Sequence, residues 1–513
     1  MEVVFLVAFL FISLSFVLYL YTVLWLRPQR ILHVLKKQGI DGPRPRFLSG
    51  NLSEMRRMTL MAAKNIGGDD HPMNQDYAKT LFPYMYQWRK TYGQTFVFFV
   101  GRRASVYVSQ TDIVREMSLR VSTDLGKATH LRKIQKPLFG GGILKSNGSE
   151  WAHQRKTIAP EFYMDKVKGM MELMVKSAIP LLKSWEERVE REGGTADIDI
   201  GNDLQDFSAD VISRACFGGS YSKGKEIFEK IRALSQFIST KRKLFDITDT
   251  FLPTKSNREV QRLEGEIRSL ILHVVRERME ESTCEDDLLR SILENADINH
   301  VGSSDSVDSF IVDNCKNIYF AGHETTAVAA TWCLMLLSFY PEWQDRARAE
   351  VMEVCRGQPP NANMIHNMKT LTMVIQETLR LYPPSPLVVR ETFRDMRFGK
   401  FHFPKGVDLW IPTSTMHHDP ALWGSDADEF RPERFAHGVS GACRHPNAYL
   451  PFGFGARTCL GQNFAMVELK VVLSLLLSRL TFSPSPKYRH SPAFRLIIAP
   501  EFGMQLTVKK LSQ

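Results

Sequence analysis

The sequence of 513 residues has few cysteines, and none of them has the spacing of a metal or disulfide framework. There are seven, an odd number, and no two form a Cys-x-x-Cys pair. A zinc ribbon and a disulfide-rich secreted scaffold are therefore disfavoured, and a reducing compartment is expected.

The sequence also lacks a dense basic tract. The formal net charge is +10, but lysine and arginine are scattered, and no basic run is interleaved with aromatic residues. This distribution disfavours nucleic-acid binding. It predicts instead a basic face that meets an acidic protein or a membrane surface.

Charge is absent from a long segment at the N-terminus, Val3 to Leu26. A helix of that length reaches roughly 36 Å and crosses a hydrocarbon core of about 30 Å. A cleaved signal peptide would need a basic start and a small-residue cleavage site, which this segment lacks. Basic residues instead follow it at Arg27, Arg30, Lys36 and Lys37. They predict an uncleaved anchor with the rest of the chain in the cytosol.

The remainder contains no repeat, no low-complexity segment and no interdomain linker. We predict an anchor at residues 1–26, a basic, proline-containing hinge at 27–47 and one globular domain at 48–513. Strand patterns are few, and the segments 95–109 and 494–508 have the pattern of hairpins. Helical patterns dominate, including Asn257–Glu281 and the proline-free run Val307–Tyr340. The fold class is therefore mainly α with small β-sheets.

The proline-free run contains an unusual polar segment, AGHETT, at Ala321–Thr326. Glycine lowers helix stability by about 1 kcal/mol relative to alanine, and threonine hydroxyls bond back to helix carbonyls. The segment predicts a helix that opens locally to leave a polar slot, although a tolerated surface patch stays an alternative. His323 and Glu324 match the start of the zinc-protease motif HExxH, but the second histidine of the motif is replaced by Ala327.

Three further patterns are weak on their own. Glu377 and Arg380 are spaced to meet on a helix face, which is typical of a solvated salt bridge that Arg434 could extend into a network. HHDP at 417–420 is more typical of a polar loop than of a metal site. GFGA at 453–456 lacks the third glycine of a dinucleotide fingerprint.

The segment FGFGARTCLG places Cys459 just before a long helical run. A helix N-terminus stabilises thiolate over thiol, and Gly453 and Gly455 permit a tight turn that aims amides at the sulfur. A single thiolate without a neighbouring cysteine or histidine suits an iron already held by a macrocycle better than zinc. A buried structural cysteine beside a turn is the alternative.

Together these segments resemble the cytochrome P-450 family of haem-thiolate monooxygenases over essentially the whole chain. The family pattern FxxGxRxCxG is met at Phe452, Gly455, Arg457, Cys459 and Gly461. Other family motifs follow the expected order, namely WxxxR at Trp151 and Arg155, AGxET at Ala321–Thr325, ExxR at Glu377 and Arg380, and PERF at Pro432–Phe435.

The resemblance implies a role for each matching residue. It makes Cys459 the axial ligand of a haem b iron, and it assigns further haem contacts to Trp151, Arg155, Arg390, Phe452 and Arg457. Of these, the tryptophan and the arginines would meet the propionates. It makes Glu377, Arg380 and Arg434 a structural triad behind the haem. This role replaces the interpretation of Glu377 and Arg380 as a solvated salt bridge. Glu324 and Thr325 become the pair that supplies protons during oxygen activation.

The resemblance also implies the reaction and its partners. One oxygen atom enters a C–H bond or adds across an alkene, with electrons from NADPH through the flavins of a cytochrome P-450 reductase. Cytochrome b5 is a further expected partner, and the endoplasmic reticulum membrane is the expected location, with the catalytic domain in the cytosol. A haem-binding protein without turnover and a non-oxygenating isomerase are the alternatives of a different class.

The hinge and the long helix resemble the plant seventy-two clan, especially the subfamily that acts on gibberellins and related terpenoids. A triterpenoid, a brassinosteroid or a cytokinin is the alternative substrate. The expected pocket is lined by 119–136, Phe320 and Ala321, 385–389 and 500–503, mainly with apolar side chains. Lys127, Arg132 or Lys133 is a candidate partner for a substrate carboxylate.

Overall fold

A computed structural model describes residues 2–64, 77–120, 123–218, 221–241, 255–280, 287–296 and 304–511. Part of the expected pocket lining, residues 121 and 122, lies outside the described residues. Most of the described chain is helical, and the strands form small sheets, which confirms the predicted fold class.

The helices are α1 Glu2–Tyr21, α2 Arg27–Lys36, α3 Leu52–Lys64, α4 Tyr77–Leu81, α5 Pro83–Tyr92, α6 Thr111–Leu119, α7 Thr129–Ile134, α8 Lys136–Phe139, α9 Gly148–Ile158, α10 Met164–Gly169, α11 Met171–Arg191, α12 Ile200–Phe217, α13 Tyr221–Lys241, α14 Lys255–Glu280, α15 Leu288–Ala296, α16 Ser304–Phe339, α17 Pro341–Cys355, α18 Lys369–Leu381, α19 Thr413–His417, α20 Pro420–Trp423, α21 Val439–Ala442 and α22 Gln462–Leu477. A π-helical turn, Thr22–Leu26, joins the first two.

The strands are β1 Thr95–Val100, β2 Arg103–Val108, β3 Leu125–Gly126, β4 Thr195–Asp199, β5 Val388–Thr392, β6 Met396–Phe398, β7 Phe401–Phe403, β8 Asp408–Ile411, β9 Leu480–Pro484, β10 Pro492–Arg495, β11 Ile497–Pro500 and β12 Gln505–Lys510. The chain divides into two compact units. Of the described residues, unit 1 comprises 2–64, 77–120, 123–128 and 387–415, and unit 2 comprises 129–218, 221–241, 255–280, 287–296, 304–386 and 416–511.

The N-terminal helix of unit 1 is longer than the predicted anchor. Helix continues from α1 through the π-turn and α2, so that Val4–Lys36 forms one stretch of 33 residues whose most apolar part is not buried by the protein. The π-turn lies just before Pro28, whose ring would otherwise clash with a carbonyl of the preceding turn. This helix is long and apolar enough to cross a membrane once, and irregular backbone begins only at residue 37.

Unit 1 is built around a sheet with the strand order β1-β2-β8-β5-β3. The first two strands pair antiparallel from Thr95↔Val108 to Val100↔Arg103, which confirms the predicted hairpin at 95–109. Every residue of β1 is buried, and Trp88 of α5 packs against Phe96 and Phe98. Aromatic packing therefore joins the sheet to the helix before it.

Unit 2 is helical around α16, which is buried along most of its length. The long helix predicted from the proline-free run is confirmed, and Pro341 begins the next helix. Gly322 allows α12 to approach closely, because a Cβ at this position would lie 2.5 Å from Cγ1 of Ile212. The helix that carries the AGHETT segment is therefore held at the centre of this unit.

The second predicted hairpin, at 494–508, is wrong. β11 pairs with β10 in a two-stranded sheet, whereas β12 pairs with β4 and β9 in another. The chain reverses earlier than expected, at Leu496, whose φ of 68° is left-handed. Apolar alternation shows that a segment is extended, but it does not identify its partner strand.

Candidate active site

The loop Phe452–Gly461 forms the tight turn that its glycines predict. Gly453 and Gly455 have φ values of 74° and 65°, which favour glycine. The Cys459 N–H donates to the Phe452 carbonyl at 2.9 Å and closes the loop, and the Cys459 side chain is exposed. The helix behind the loop, α22, begins at Gln462, slightly later than the sequence suggests.

Two arginines and a tryptophan meet beside this loop. Trp151 and Arg155 lie one turn apart on α9, and therefore on the same face. The Arg155 Nη1 donates to the Thr458 carbonyl at 3.0 Å. The Cζ of Arg457 lies 4.2 Å from the Trp151 ring centroid, and the Cζ of Arg155 lies 5.9 Å from it. We call these three residues the cation cluster.

The cation cluster is held by neutral oxygens. Arg457 donates to the Ser146 carbonyl at 3.0 Å and to Oδ1 of Asn147 at 2.9 Å. Among the described residues, neither Arg155 nor Arg457 forms an ion pair with a carboxylate. Asn147 was missed in the sequence, although an asparagine just before a helix is a recognisable signal. Its side chain bonds to the arginine instead of capping α9.

Burial makes these two positive charges costly. It lowers the pKa of Arg457 to about 10, and the charge of Arg155 lowers that pKa further. Burial also lowers the pKa of Arg155, whereas Cys459 opposes this shift. Two partly buried cations that have no carboxylate partner among the described residues form a site for an anionic group. The two propionates of a haem fit this site in charge.

The ExxR pair is fully buried, so its two residues do not form the solvated salt bridge that the spacing alone suggests. Arg380 donates to Glu377 through Nε at 2.7 Å and through Nη2 at 2.8 Å, and both side chains are 0% exposed. Arg434 donates from Nε to the same carboxylate at 3.3 Å. Arg434 also reaches Oδ1 of Asp426 at 2.9 Å, so one carboxylate joins two arginines in a wider network.

The HHDP segment supports this network. Nδ1 of His417 donates to the Arg380 carbonyl at 2.9 Å, and Nε2 accepts from the Leu450 N–H at 2.9 Å. Burial, together with the charge of Arg380, lowers the pKa of His417 to about 3, so the ring is neutral. His418 bonds to Asp428 at 2.9 Å. Both imidazoles thus have protein partners in the packing around the ExxR helix.

Glu324 and Thr325 lie on a continuous helix, which corrects the expectation that α16 opens locally. The Thr325 hydroxyl donates back to the Ala321 carbonyl at 2.8 Å without breaking the helix. Oε1 of Glu324 lies 3.3 Å from Nε2 of His323. Burial by itself would raise the pKa of Glu324, but His323 and Arg232 outweigh it and lower the pKa. Glu324 is therefore ionised at neutral pH.

A cavity of about 360 Å³ in unit 2 reaches Glu324. Polar residues that line it include Arg232, Ser235 and Ser239 of α13. The predicted lining segment 500–503 contributes Pro500, Phe502 and Gly503, whereas Phe320 and Ala321 do not line this cavity. This cavity is therefore partly polar, and it lies next to the acid of α16.

The remaining predicted residues are described within the unit to which each belongs. Arg390 and Lys127 belong to unit 1, and Arg390 is buried on β5, where Nη1 donates to the Val389 carbonyl at 3.1 Å. Arg132 pairs with Glu150 at 3.4 Å, with both side chains exposed. Lys133 is exposed on α7. Their expected roles stay predictions.

The mainly helical fold and the cysteine loop are typical of one class of protein. Comparison with known proteins identifies that class. The family model described as cytochrome P450 matches residues 73–508, and the chain belongs to this family. Members bind haem iron through a cysteine thiolate, and the chain is a haem-thiolate monooxygenase that uses electrons from NADPH.

The chain is similar over nearly its whole length to plant proteins of one P450 group. It is 50% identical to cytochrome P450 714D1 of Oryza sativa subsp. japonica, with 95% of this chain and 92% of that protein covered. It is 52% identical to cytochrome P450 714B3 of Zea mays, with 96% and 93% covered. It is 46% identical to cytochrome P450 714A2 of Arabidopsis thaliana, with 93% of each covered.

Proposed function

We propose that this chain is a membrane-anchored monooxygenase that hydroxylates or epoxidises an apolar terpenoid, with a gibberellin-type diterpenoid as the foremost substrate and Cys459 as the iron ligand. The observation that carries the cofactor assignment is the cation cluster. It places Arg155 and Arg457 beside the cysteine loop and anchors both on neutral oxygens, and within the part of the chain that the structure describes neither arginine pairs with a carboxylate.

When bound, the haem supplies dioxygen activation at an iron that the Cys459 thiolate ligates. The chain's own residues orient the group and stabilise its charge. Arg155 and Arg457 would each hold a propionate, and the Trp151 ring centroid lies 5.9 Å and 4.2 Å from their guanidinium carbons. Phe452 and the two glycines would shape the loop that holds the cofactor.

Proton delivery is proposed for Glu324 and Thr325. The ionised Glu324 carboxylate borders a polar cavity, from which it can take up a proton and pass it on. The Thr325 hydroxyl has donated its hydrogen to Ala321, so its oxygen lone pairs are available to hold a water molecule.

The substrate proposal rests on the resemblance to the gibberellin- and terpenoid-oxidising plant subfamily and on the similarity to the 714 group. The N-terminal helix would anchor the enzyme in the endoplasmic reticulum membrane. The net charge of +10 suits an acidic reductase and cytochrome b5 at the same membrane.

The ligand assignment is tested with Cys459→Ala in the full-length protein. The parent is expected to show the thiolate Soret band of the reduced carbon monoxide complex, and Cys459→Ala is expected to lack it. Cys443→Ala is the control, since that thiol donates to the His445 carbonyl in a separate loop. A retained thiolate band in Cys459→Ala would contradict the assignment.

The reaction is tested by reconstituting the full chain with reductase and NADPH under heavy-isotope dioxygen. A panel of a gibberellin, a steroid, a cytokinin and a triterpene is examined by mass spectrometry. The expected product is a gibberellin that carries one labelled oxygen atom. An unlabelled rearranged product would indicate an isomerase, and labelled product from another substrate alone would overturn the gibberellin proposal.

A further inference from the structure

Buried polar groups connect the helix behind the cysteine loop to the helix that carries Glu324. Glu468 of α22 and Ser208 of α12 are both fully buried. Oε1 of Glu468 lies 2.6 Å from Oγ of Ser208, and the same Oγ lies 3.4 Å from the carbonyl oxygen of Gly322 on α16. Three helices are therefore joined by a continuous polar chain.

The charge of Glu468 follows from its surroundings. Among the described residues its Oε2 has no hydrogen-bond partner. Burying a carboxylate with one bare oxygen costs far more than burying a neutral carboxyl. Burial raises the pKa of Glu468 to about 8, and the hydrogen bond with Ser208 opposes this only in part. At neutral pH, Glu468 is therefore mostly protonated and can donate a hydrogen bond.

The protonation state of Glu468 sets the direction of the hydrogen bonds from Glu468 through Ser208 to Gly322, because a serine hydroxyl has a single hydrogen. A neutral Glu468 donates to Ser208, whose own hydrogen is then available for the Gly322 carbonyl. An ionised Glu468 would take the Ser208 hydrogen for itself. The Gly322 carbonyl also accepts the N–H of residue 326 within the helix, so Ser208 supplies a second donor to it.

The helices α12 and α16 are closely packed at this point. A Cβ on Gly322 would lie 2.5 Å from Cγ1 of Ile212, so α12 lies directly against α16 there. The neighbouring Ala321 carbonyl accepts the Thr325 hydroxyl. The peptide that Ser208 reaches is therefore adjacent to the one that orients Thr325.

We propose that Glu468 and Ser208 are positioning residues, in which a neutral Glu468 donates to Ser208 and Ser208 donates to the Gly322 carbonyl, fixing the turn of α16 that bears Glu324 and Thr325. The inference rests on the roles proposed for those two residues. The order of the helix is nevertheless measurable without turnover.

The test uses the full-length, haem-loaded protein and the variants Ser208→Ala, Glu468→Met and Glu468→Gln. Glutamine keeps a neutral donor for Ser208, whereas methionine removes it. The control is Ser474→Ala, a buried serine of α22 whose hydroxyl donates to Val471 in its own helix. Hydrogen exchange is followed by mass spectrometry on peptides that cover α16.

Ser208→Ala and Glu468→Met are expected to exchange roughly 3- to 10-fold faster over residues 322–328, the effect of one lost hydrogen bond on local opening. Glu468→Gln and Ser474→Ala should exchange like the parent. Parent-like exchange in Ser208→Ala, or equal exchange in the methionine and glutamine variants, would overturn the proposal. So would loss of the thiolate Soret band in Ser208→Ala, because the role would then lie in folding.

A second readout separates this inference from the proposed function. Product formed per NADPH is expected to fall roughly 3- to 10-fold in Ser208→Ala, in step with the loss of helix order, while KM stays within about twofold. Faster exchange with unchanged coupling would overturn the link to Glu324 and Thr325. It would leave the substrate and the iron ligand as proposed.

Discussion

Replacing Glu377 by glutamine should destabilise the protein far more than its helical spacing suggests. The Glu377 carboxylate accepts from Arg380 at 2.7 and 2.8 Å, from the Arg431 N–H at 2.9 Å and from Arg434 at 3.3 Å. Glutamine removes the negative charge and turns a donor toward Arg380, which is 0% exposed. The arginine is then a buried charge without a counterion.

Breaking one side of a buried ion pair costs about 3–5 kcal/mol. In domains of 150–250 residues, 1 kcal/mol shifts the unfolding midpoint by about 2–4 °C, and the shift shrinks with size, to roughly 1–2 °C in a chain of this length. Glu377→Gln is therefore expected to unfold about 3–10 °C lower. Haem occupancy should also fall, because the network packs against the segment that leads into the cysteine loop.

The assay is thermal unfolding of the purified full chain, followed by circular dichroism and by the thiolate Soret band at one scan rate. The matched control is Glu294→Gln, since Glu294 pairs with Arg290 at 2.7 Å but is 59% exposed. That exposed pair is worth less than about 1 kcal/mol. Equal midpoints for the two variants would refute the claim that burial of the pair governs its energetics.

Three further outcomes follow from the site. Thr325→Ala should retain the Soret band and substrate binding but divert reducing equivalents to hydrogen peroxide, with product formation roughly 10²-fold lower. The assay is the amount of product formed per NADPH. Equal coupling in the variant and the parent would exclude a role of Thr325 in proton delivery. Arg457→Gln should release haem to an acceptor apoprotein roughly 10- to 100-fold faster, the effect of losing charged hydrogen bonds, whereas Arg132→Gln, at an exposed pair, should not change the rate. Glu468 has a folded pKa of about 8, above its ordinary value of 4.5. The folded state then binds a proton that the unfolded state has lost, so this group lowers stability as pH rises from about 4.5 to 8. Glu468→Gln should therefore gain stability relative to the parent between pH 5 and 8 and no more above it, and a gap that is constant across this range would contradict the buried neutral acid.

Local patterns in the sequence determined much of this protein. The uncharged N-terminal segment, the proline-free helix and the hairpin at 95–109 follow from periodicity and composition, which report on nearby residues. The glycine-rich loop around Cys459 predicted both a tight turn and a haem ligand. Glycines permit such a turn, and a single thiolate at a helix N-terminus suits an iron that a macrocycle already holds. These features lie within single segments, and they sufficed to indicate the family.

Tertiary structure alone decided the environment of each side chain. The spacing of Glu377 and Arg380 shows that they can meet, but only the packed fold removes them from water. Breaking the ion pair then costs much more free energy of unfolding than breaking an exposed pair would. The partner of β12 and the polar chain from Glu468 through Ser208 to Gly322 join distant segments that no local period connects. Burial and long-range contact depend on how the whole chain packs, and they set the pKa of Arg457 and of Glu468, which their positions in the sequence leave open.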